Sequence, residues 1–219
     1  MEKYLALLHR TKLFGGIGTG EIEGMLDCLK AVQRSYDRGE YIFRLGERIS
    51  AVALLLEGCV HIQREDYWGN LSILNEISEG DIFGEAYAAP DSGALANNAV
   101  AVEPSVVLFL DFHHILTLCS NACPFHTLLL QNLFALIAEK NRILARKLGC
   151  LSQRTTREKL LAYFSEQSQR TGSASFTIPF NRQQLADYLS VDRSAMSREL
   201  CSMRDEGLLE FHKNQFRLK

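Results

Sequence analysis

The stretch FNRQQLADYLSVDRSAMSRELCSMRDEGLL, residues 180–209, reads as two short helices joined by a tight turn. Asn181 and Gln184 stand at capping-box spacing for the first helix, and Asp192 is a good N-cap for the second. Leu185, Ala186, Leu189, Val191, Met196 and Leu200 fall where two crossed helices bury a shared face, and small Ala186 lets the backbones approach. Arg193, Ser194, Ser197 and Arg198 then point away from the first turns of the second helix, the part of a recognition helix that reaches base edges. Arg182 and Gln183, opening the first helix, are placed to hold a DNA backbone. An ordinary helical hairpin with a solvated charged face shares much of this pattern, and Ser190 stands where a turn glycine is usual.

Charge favours the nucleic-acid reading. The formal net charge is −2, yet residues 1–139 hold 9 Lys+Arg against 18 Asp+Glu, while residues 140–219 hold 15 against 8. A basic C-terminal third is carried by an acidic remainder, which supplies phosphate attraction on one module and keeps the rest of the surface off the polyanion. A membrane-surface role fits less well, because the basic segment lacks a helix with a Trp/Phe/Leu face.

At 219 residues and 47% hydrophobic content the chain has room for two domains with cores. No stretch is long and apolar enough to span a bilayer, and MEKYLALLHRTK at the N-terminus lacks a signal-peptide pattern, so a cytoplasmic location is expected. Six cysteines (Cys28, Cys59, Cys119, Cys123, Cys150, Cys201) occur without a CxxC pair and are expected to be free, mostly buried thiols.

The first half reads as β. Tyr41–Phe43, Ala51–Leu56, Cys59–Gln63, Leu71–Ile77, Asn98–Val102 and Val106–Leu110 are short apolar runs separated by Gly, Asp, Asn or Pro. Gly39, Gly46, Gly58, Gly69 and Gly80 recur at the even beat of an antiparallel roll or jelly roll. The chain's one Trp, Trp68, falls at a hairpin tip in residues 66–70 and is read as a partly exposed packing residue. Residues 19–30 form a small helix after a glycine cluster that has no phosphate-binding Lys.

Leu130, Phe134, Ile137, Asn141, Leu144, Leu148 and Leu151 step by 4, 3, 4, 3, 4 and 3, a heptad seam near a helix that begins around Pro124. Placed between two domains, it is most simply a homodimer interface made of Leu130, Phe134, Ile137, Asn141, Leu144 and Leu148, with Asn141 fixing register. A core helix packed within one chain fits the same stripe. A dimer would let two half-sites about one helical turn apart multiply specificity.

This order of parts resembles the Crp/Fnr family of bacterial transcription regulators over nearly the whole chain. The resemblance rests on Gly80-Asp-Ile-Phe-Gly-Glu85, similar to the start of the family's phosphate-binding cassette, on Leu55-Leu-Glu-Gly58, and on Val191-Asp-Arg-Ser-Ala-Met-Ser-Arg198 with Glu206-Gly-Leu-Leu209. It implies an α+β chain: an antiparallel β-roll for effector sensing (1–120), a dimerisation helix (121–151) and a winged helix-turn-helix (152–219). Residues 208–211 and 215–218 would form the wing. The implied partners are double-stranded DNA, a second copy of the chain, a small-molecule effector and, for an activator, RNA polymerase. No cofactor and no enzymatic activity are expected.

The cassette departs from the family's cyclic-nucleotide pattern. Counting from Gly84-Glu85, the positions of the phosphate-binding Arg and its Ser or Thr neighbour are Leu95 and Ala96, and residues 86–96 hold no basic side chain. Glu85, which in nucleotide-binding relatives accepts from a ribose hydroxyl, equally suits a residue closing a turn. Arg142 corresponds to a stretch that touches the effector in relatives, or is a solvated flank of the seam. With Asn97 and Asn98, these residues complete the effector-site expectation.

An iron–sulfur sensor is disfavoured because no cysteine precedes Cys28, and a haem sensor because the cassette offers no His or Cys. His113, His114, Cys119, Cys123 and His126 concentrate possible ligands within fourteen residues but read better as packing groups. The rival class is a cupin-like metal-binding or enzymatic roll with a degenerate helix-turn-helix. Its strands would need several histidines, and they carry only His61.

Overall fold

The run Ala51–Glu57 is apolar at successive positions rather than alternate ones, the pattern of a strand covered on both faces. The computed structural model, which describes residues 2–65, 67–68, 71–117 and 124–219, bears this out. Contacts divide the chain into two units, residues 1–138 and 139–219.

In the first unit a 3-10 turn at Glu2–Tyr4 leads into α1 (Leu5–Arg10) and α2 (Thr19–Cys28). There follow β1 (Val32–Tyr36), β2 (Tyr41–Phe43), β3 (Ala51–Glu57), β4 (Val60–Glu65), β5 (Leu71–Ile77), β6 (Ile82–Phe83), β7 (Asn98–Ala101) and β8 (Ser105–Asp111). α3 (Phe112–Leu116) and the long α4 (Pro124–Leu151) come next, and the boundary between units falls inside α4. Two four-stranded antiparallel sheets, ordered β1-β8-β3-β6 and β2-β7-β4-β5, make the roll.

Both sides of β3 are filled. Ala53 and Leu55 join Phe43, Val60, Phe83 and Leu95 between the sheets. Val52, Leu54 and Leu56 face a second cluster with Leu8, Phe14, Ile22 and Met25 from the N-terminal helices and Leu129 and Leu133 from α4. Asn132 anchors α4 here, donating through Nδ2 to the carbonyls of Leu13 and Gly15 at 3.0 and 2.9 Å. Gly58 closes the β3–β4 turn at φ 93°, and a Cβ there would lie 2.4 Å from Ser105 Oγ and 2.6 Å from the Pro104 carbonyl. Only glycine fits that approach.

The second unit adds α5 (Thr156–Thr171), β9 (Ser175–Thr177), α6 (Arg182–Leu189), α7 (Arg193–Asp205), β10 (Leu209–His212) and β11 (Gln215–Leu218). The order β10-β11-β9 forms the three-stranded wing. Leu160, Phe164, Leu185, Ala186, Leu189, Met196, Leu200, Met203 and Phe216 pack into its core.

Two expectations need correction. Cys28 and Cys201 are exposed and Cys59 is partly exposed, so of the four cysteines described only Cys150 is a buried thiol. β1 and β6 join the roll although neither was expected, β1 because its polar sequence VQRSY lines an edge beside β8. The tip residues 66, 69 and 70 lie outside the described residues, while Tyr67 and Trp68 are strongly exposed with their rings 5.9 Å apart. No helix among the described residues is long and apolar enough to cross a membrane.

Candidate nucleic-acid interface and sensor cassette

Both helices of the hairpin start on side-chain caps. Asn181 accepts from the Gln184 amide at 3.0 Å while Gln184 accepts from the Asn181 amide at 2.9 Å, a complete capping box. Asp192 accepts from the Ala195 amide at 2.7 Å and starts α7. Ser190 makes the turn in the left-handed region at φ 50°, doing the work of the absent glycine. Ala186 is fully buried at the crossing of α6 and α7.

On α7, Arg193, Ser194 and Arg198 are exposed and Ser197 is half-buried. Among the described residues neither Arg193 nor Arg198 has an ion-pair partner, so both guanidinium groups are available to an incoming anion. The acids of the same region are tied up. Arg157 of α5 donates to Glu199 at 3.3 Å and makes a two-pronged contact with Glu206, which also accepts from Ser202 at 3.0 Å. The Arg157 guanidinium, with the Ser202 hydroxyl second, holds the Glu206 carboxyl down at about 2. Arg204 pairs with Asp205 at 2.9 Å.

The first helix differs from expectation in detail. The Arg182 guanidinium lies 4.7 Å from the Phe211 ring centre and 5.2 Å from that of Phe216, stacked on the wing rather than extended into solvent. Burial there pushes it below its ordinary value. Gln183 stays exposed and donates to Asp187 at 2.8 Å. Nothing in the local spacing of α6 signalled the ring contact, because Phe211 and Phe216 arrive through the wing hairpin.

In the roll, Gly84 turns at φ 79°, and a Cβ there would sit 2.8 Å from the Phe43 ring, so this glycine serves close packing. Leu95 is 6% exposed and belongs to the core between the sheets, with its backbone bonded to Gly46 and Glu47. Ala96 is exposed, and Glu85 and Asn97 are half-buried. Asn98 is committed to the fold, its Oδ1 accepting from the Leu45 amide at 2.7 Å. Arg142 is exposed on α4 within the second unit. The cation that sequence reasoning missed is Arg48, which borders a cleft of about 200 Å³ together with Tyr87, Ser92, Phe112 and His113. It precedes β3, far from the cassette in sequence, and only the folded roll sets it beside residues 87–93.

Of the heptad seam, Leu130 is half-buried, whereas Phe134, Ile137, Asn141, Leu144 and Leu148 are exposed. Leu129 and Leu133 of α4 are buried against the roll, and the seam residue Leu130, with Leu128 and Leu136, packs on the same cluster. Of the His/Cys group, His114 bonds Asp111 at 2.9 Å and His126 Nε2 lies 3.2 Å from the His114 carbonyl. Cys119 and Cys123 lie outside the described residues.

Residues 33–122 match the cyclic nucleotide-binding domain, and residues 158–219 match the Crp-like helix-turn-helix domain. The chain is 28% identical over 197 residues to the cyclic AMP receptor protein of Thermus thermophilus, spanning 90% of this chain and 87% of the relative. It superposes on the Thermus thermophilus catabolite activator protein with TM-score 0.51 at 25% identity, covering 95% of this chain and 94% of that one. CprK complexed with OCPA shares the fold at TM-score 0.62 and 16% identity, covering 90% and 91% of the two chains. Sensor roll, long helix and capped, basic helix-turn-helix thus occur together and in one order, and the chain belongs to the Crp/Fnr family of DNA-binding transcription regulators.

Proposed function

We propose that two copies of the chain associate through the α4 seam, read DNA with paired α7 helices, and respond to a signal other than a cyclic nucleotide received by the roll. The observation that carries the DNA part is the pair of unoccupied guanidinium groups, Arg193 and Arg198, on the exposed first turns of a helix whose acids are already neutralised. Arg198 is assigned a bidentate contact to guanine, Arg193 a second base or a phosphate, and Ser194, Ser197 and Gln183 supporting polar contacts. Arg182 supports the wing and reaches phosphate at most with the edge its rings leave free.

The effector part rests on the cassette. A cyclic phosphate brings one negative charge, and burying it unpaired costs several kcal/mol at least. Residues 86–96 supply no cation, and Leu95 fills its position with core packing. A less polar ligand suits this lining, with Glu85 and Asn97 as its polar anchors. A signal then acts by favouring one of two arrangements of the reading heads.

A second reading, a cyclic nucleotide, draws on the name of the Thermus relative and on Arg48 at the cleft beside the cassette. Calorimetry with cyclic AMP and cyclic GMP at millimolar concentration separates the two. Negligible heat is expected, and saturable binding below about 10 µM that is lost in Arg48→Ala would establish the second reading. The DNA assignment is tested on a site selected from random sequence. Arg198→Ala should cost about 1–3 kcal/mol there and relax discrimination at one base pair. Equal affinity of variant and wild type would sink it.

A further inference from the structure

At the start of β4 and on β5 lies a ligand set that neither the DNA interface nor the cassette uses. We propose that Cys59, His61 and Glu76 bind one divalent transition-metal ion of the zinc class on the outer face of the β-roll.

The placement follows from the sheet. Val60 of β4 and its partner Ile77 of β5 are core residues between the two sheets. Side chains alternate along a strand, so Cys59 and His61, on either side of Val60, share the opposite face. His61 stands directly across from Glu76 in register, which brings their side chains together. One ligand atom from each of Cys59, His61 and Glu76 lies within 4.8 Å of the other two.

The spacing suits a small cation. With Zn–N and Zn–O bonds of about 2.0–2.2 Å, the edge of a tetrahedron is about 3.4 Å. His61 Nε2 and Glu76 Oε2 are 3.2 Å apart, so that edge is nearly in place before any ion arrives. The Cys59 sulfur completes a triangle, and the fourth position faces water on the side where Glu76 is exposed. The His61 side chain is held at 19% exposure, which limits the freedom an ion would have to remove.

Charge points the same way. The Cys59 thiol, with its proton, lies within 4.8 Å of the Glu76 carboxylate. A divalent ion displaces that proton to solvent and forms the sulfur–metal bond, while its two positive charges balance the new thiolate and the carboxylates around it. Mixed sulfur, nitrogen and oxygen donors select ions of the zinc, cobalt and nickel type over the oxygen-seeking magnesium and calcium.

The site is independent of the effector and DNA readings, and its test uses the intact chain. Co²⁺ added to metal-free protein should bind one ion per chain with a thiolate-to-cobalt charge-transfer band in the near ultraviolet, displaced by Zn²⁺. Cys59→Ala should abolish the band. His61→Gln and Glu76→Gln, conservative changes on an outer face, should weaken Zn²⁺ binding at least about 10- to 100-fold, the range for disturbing even an outer partner of a metal site. A Cys119→Ser/Cys123→Ser double variant should keep the band. No band in wild type, a band that survives Cys59→Ala in a folded protein, or a band lost in the double variant would each overturn the assignment.

Discussion

Shortening Leu144 to alanine should weaken self-association about a hundredfold. In the single chain Leu144 is 66% exposed, so a second helix can still remove about two thirds of it from water. The truncation deletes about three methylene equivalents, each worth about 0.8 kcal/mol when fully buried, hence about 1.6 kcal/mol per copy. Two-fold symmetry doubles this to about 3 kcal/mol per dimer, and at about 1.4 kcal/mol per decade the dissociation constant rises roughly 100-fold. Ile143 is 51% exposed one residue away but lies off the seam, so Ile143→Ala is a matched control that should leave the constant unchanged. Ile137→Asp, which sets charges into the apolar contact, should leave the chain monomeric. Sedimentation over a concentration series reads all three. A wild type that sediments as a monomer at micromolar concentration, or equal weakening by the Leu144 and Ile143 variants, would refute the seam.

Two further expectations concern stability of the DNA-binding unit. Asp192→Ala removes the 2.7 Å cap on the Ala195 amide and should cost about 0.5–2 kcal/mol in urea unfolding, and an unchanged midpoint with unchanged slope would count against the cap. Glu206 is held down at about 2 by Arg157 and Ser202, so its stabilising contribution is complete above the ordinary carboxylate range and is lost as pH falls toward 2. Glu206→Gln should therefore lower Tm at pH 7, with the gap to wild type closing below about pH 4.5; a gap that persists at pH 2 would show that the charge is not the source.

What could be read from the chain alone was whatever depends on local spacing. Asn181, Gln184 and Asp192 announced both helix starts, because a cap is settled within three residues. The run at β3 announced a strand, and the wing strands fell within a residue of their expected limits. β1 stayed hidden because Val32–Tyr36 has neither an apolar run nor a clean alternation, and its partner strand β8 begins only at Ser105. The same reason hid three side chains. Arg182 meets rings delivered by a hairpin, Arg48 meets the cassette across the roll, and Glu76 meets His61 only through strand register. His61 stood alone as a histidine on the strands; the fold brings a sulfur and a carboxylate within 4.8 Å of it.

The Arg157 contact has a further meaning when α7 is considered as a charged body nearing a polyanion. Its sequence alternates signs, and left bare, Glu199, Asp205 and Glu206 would repel the phosphates that Arg193 and Arg198 attract. Arg157 and Arg204 act as built-in counter-ions, so the helix approaches with its repulsion already cancelled and its free cations gathered in the first two turns. A chain bearing Arg157→Ala would uncover two carboxylates at once and lose affinity for every DNA sequence by the same factor, a deficit that high salt should erase.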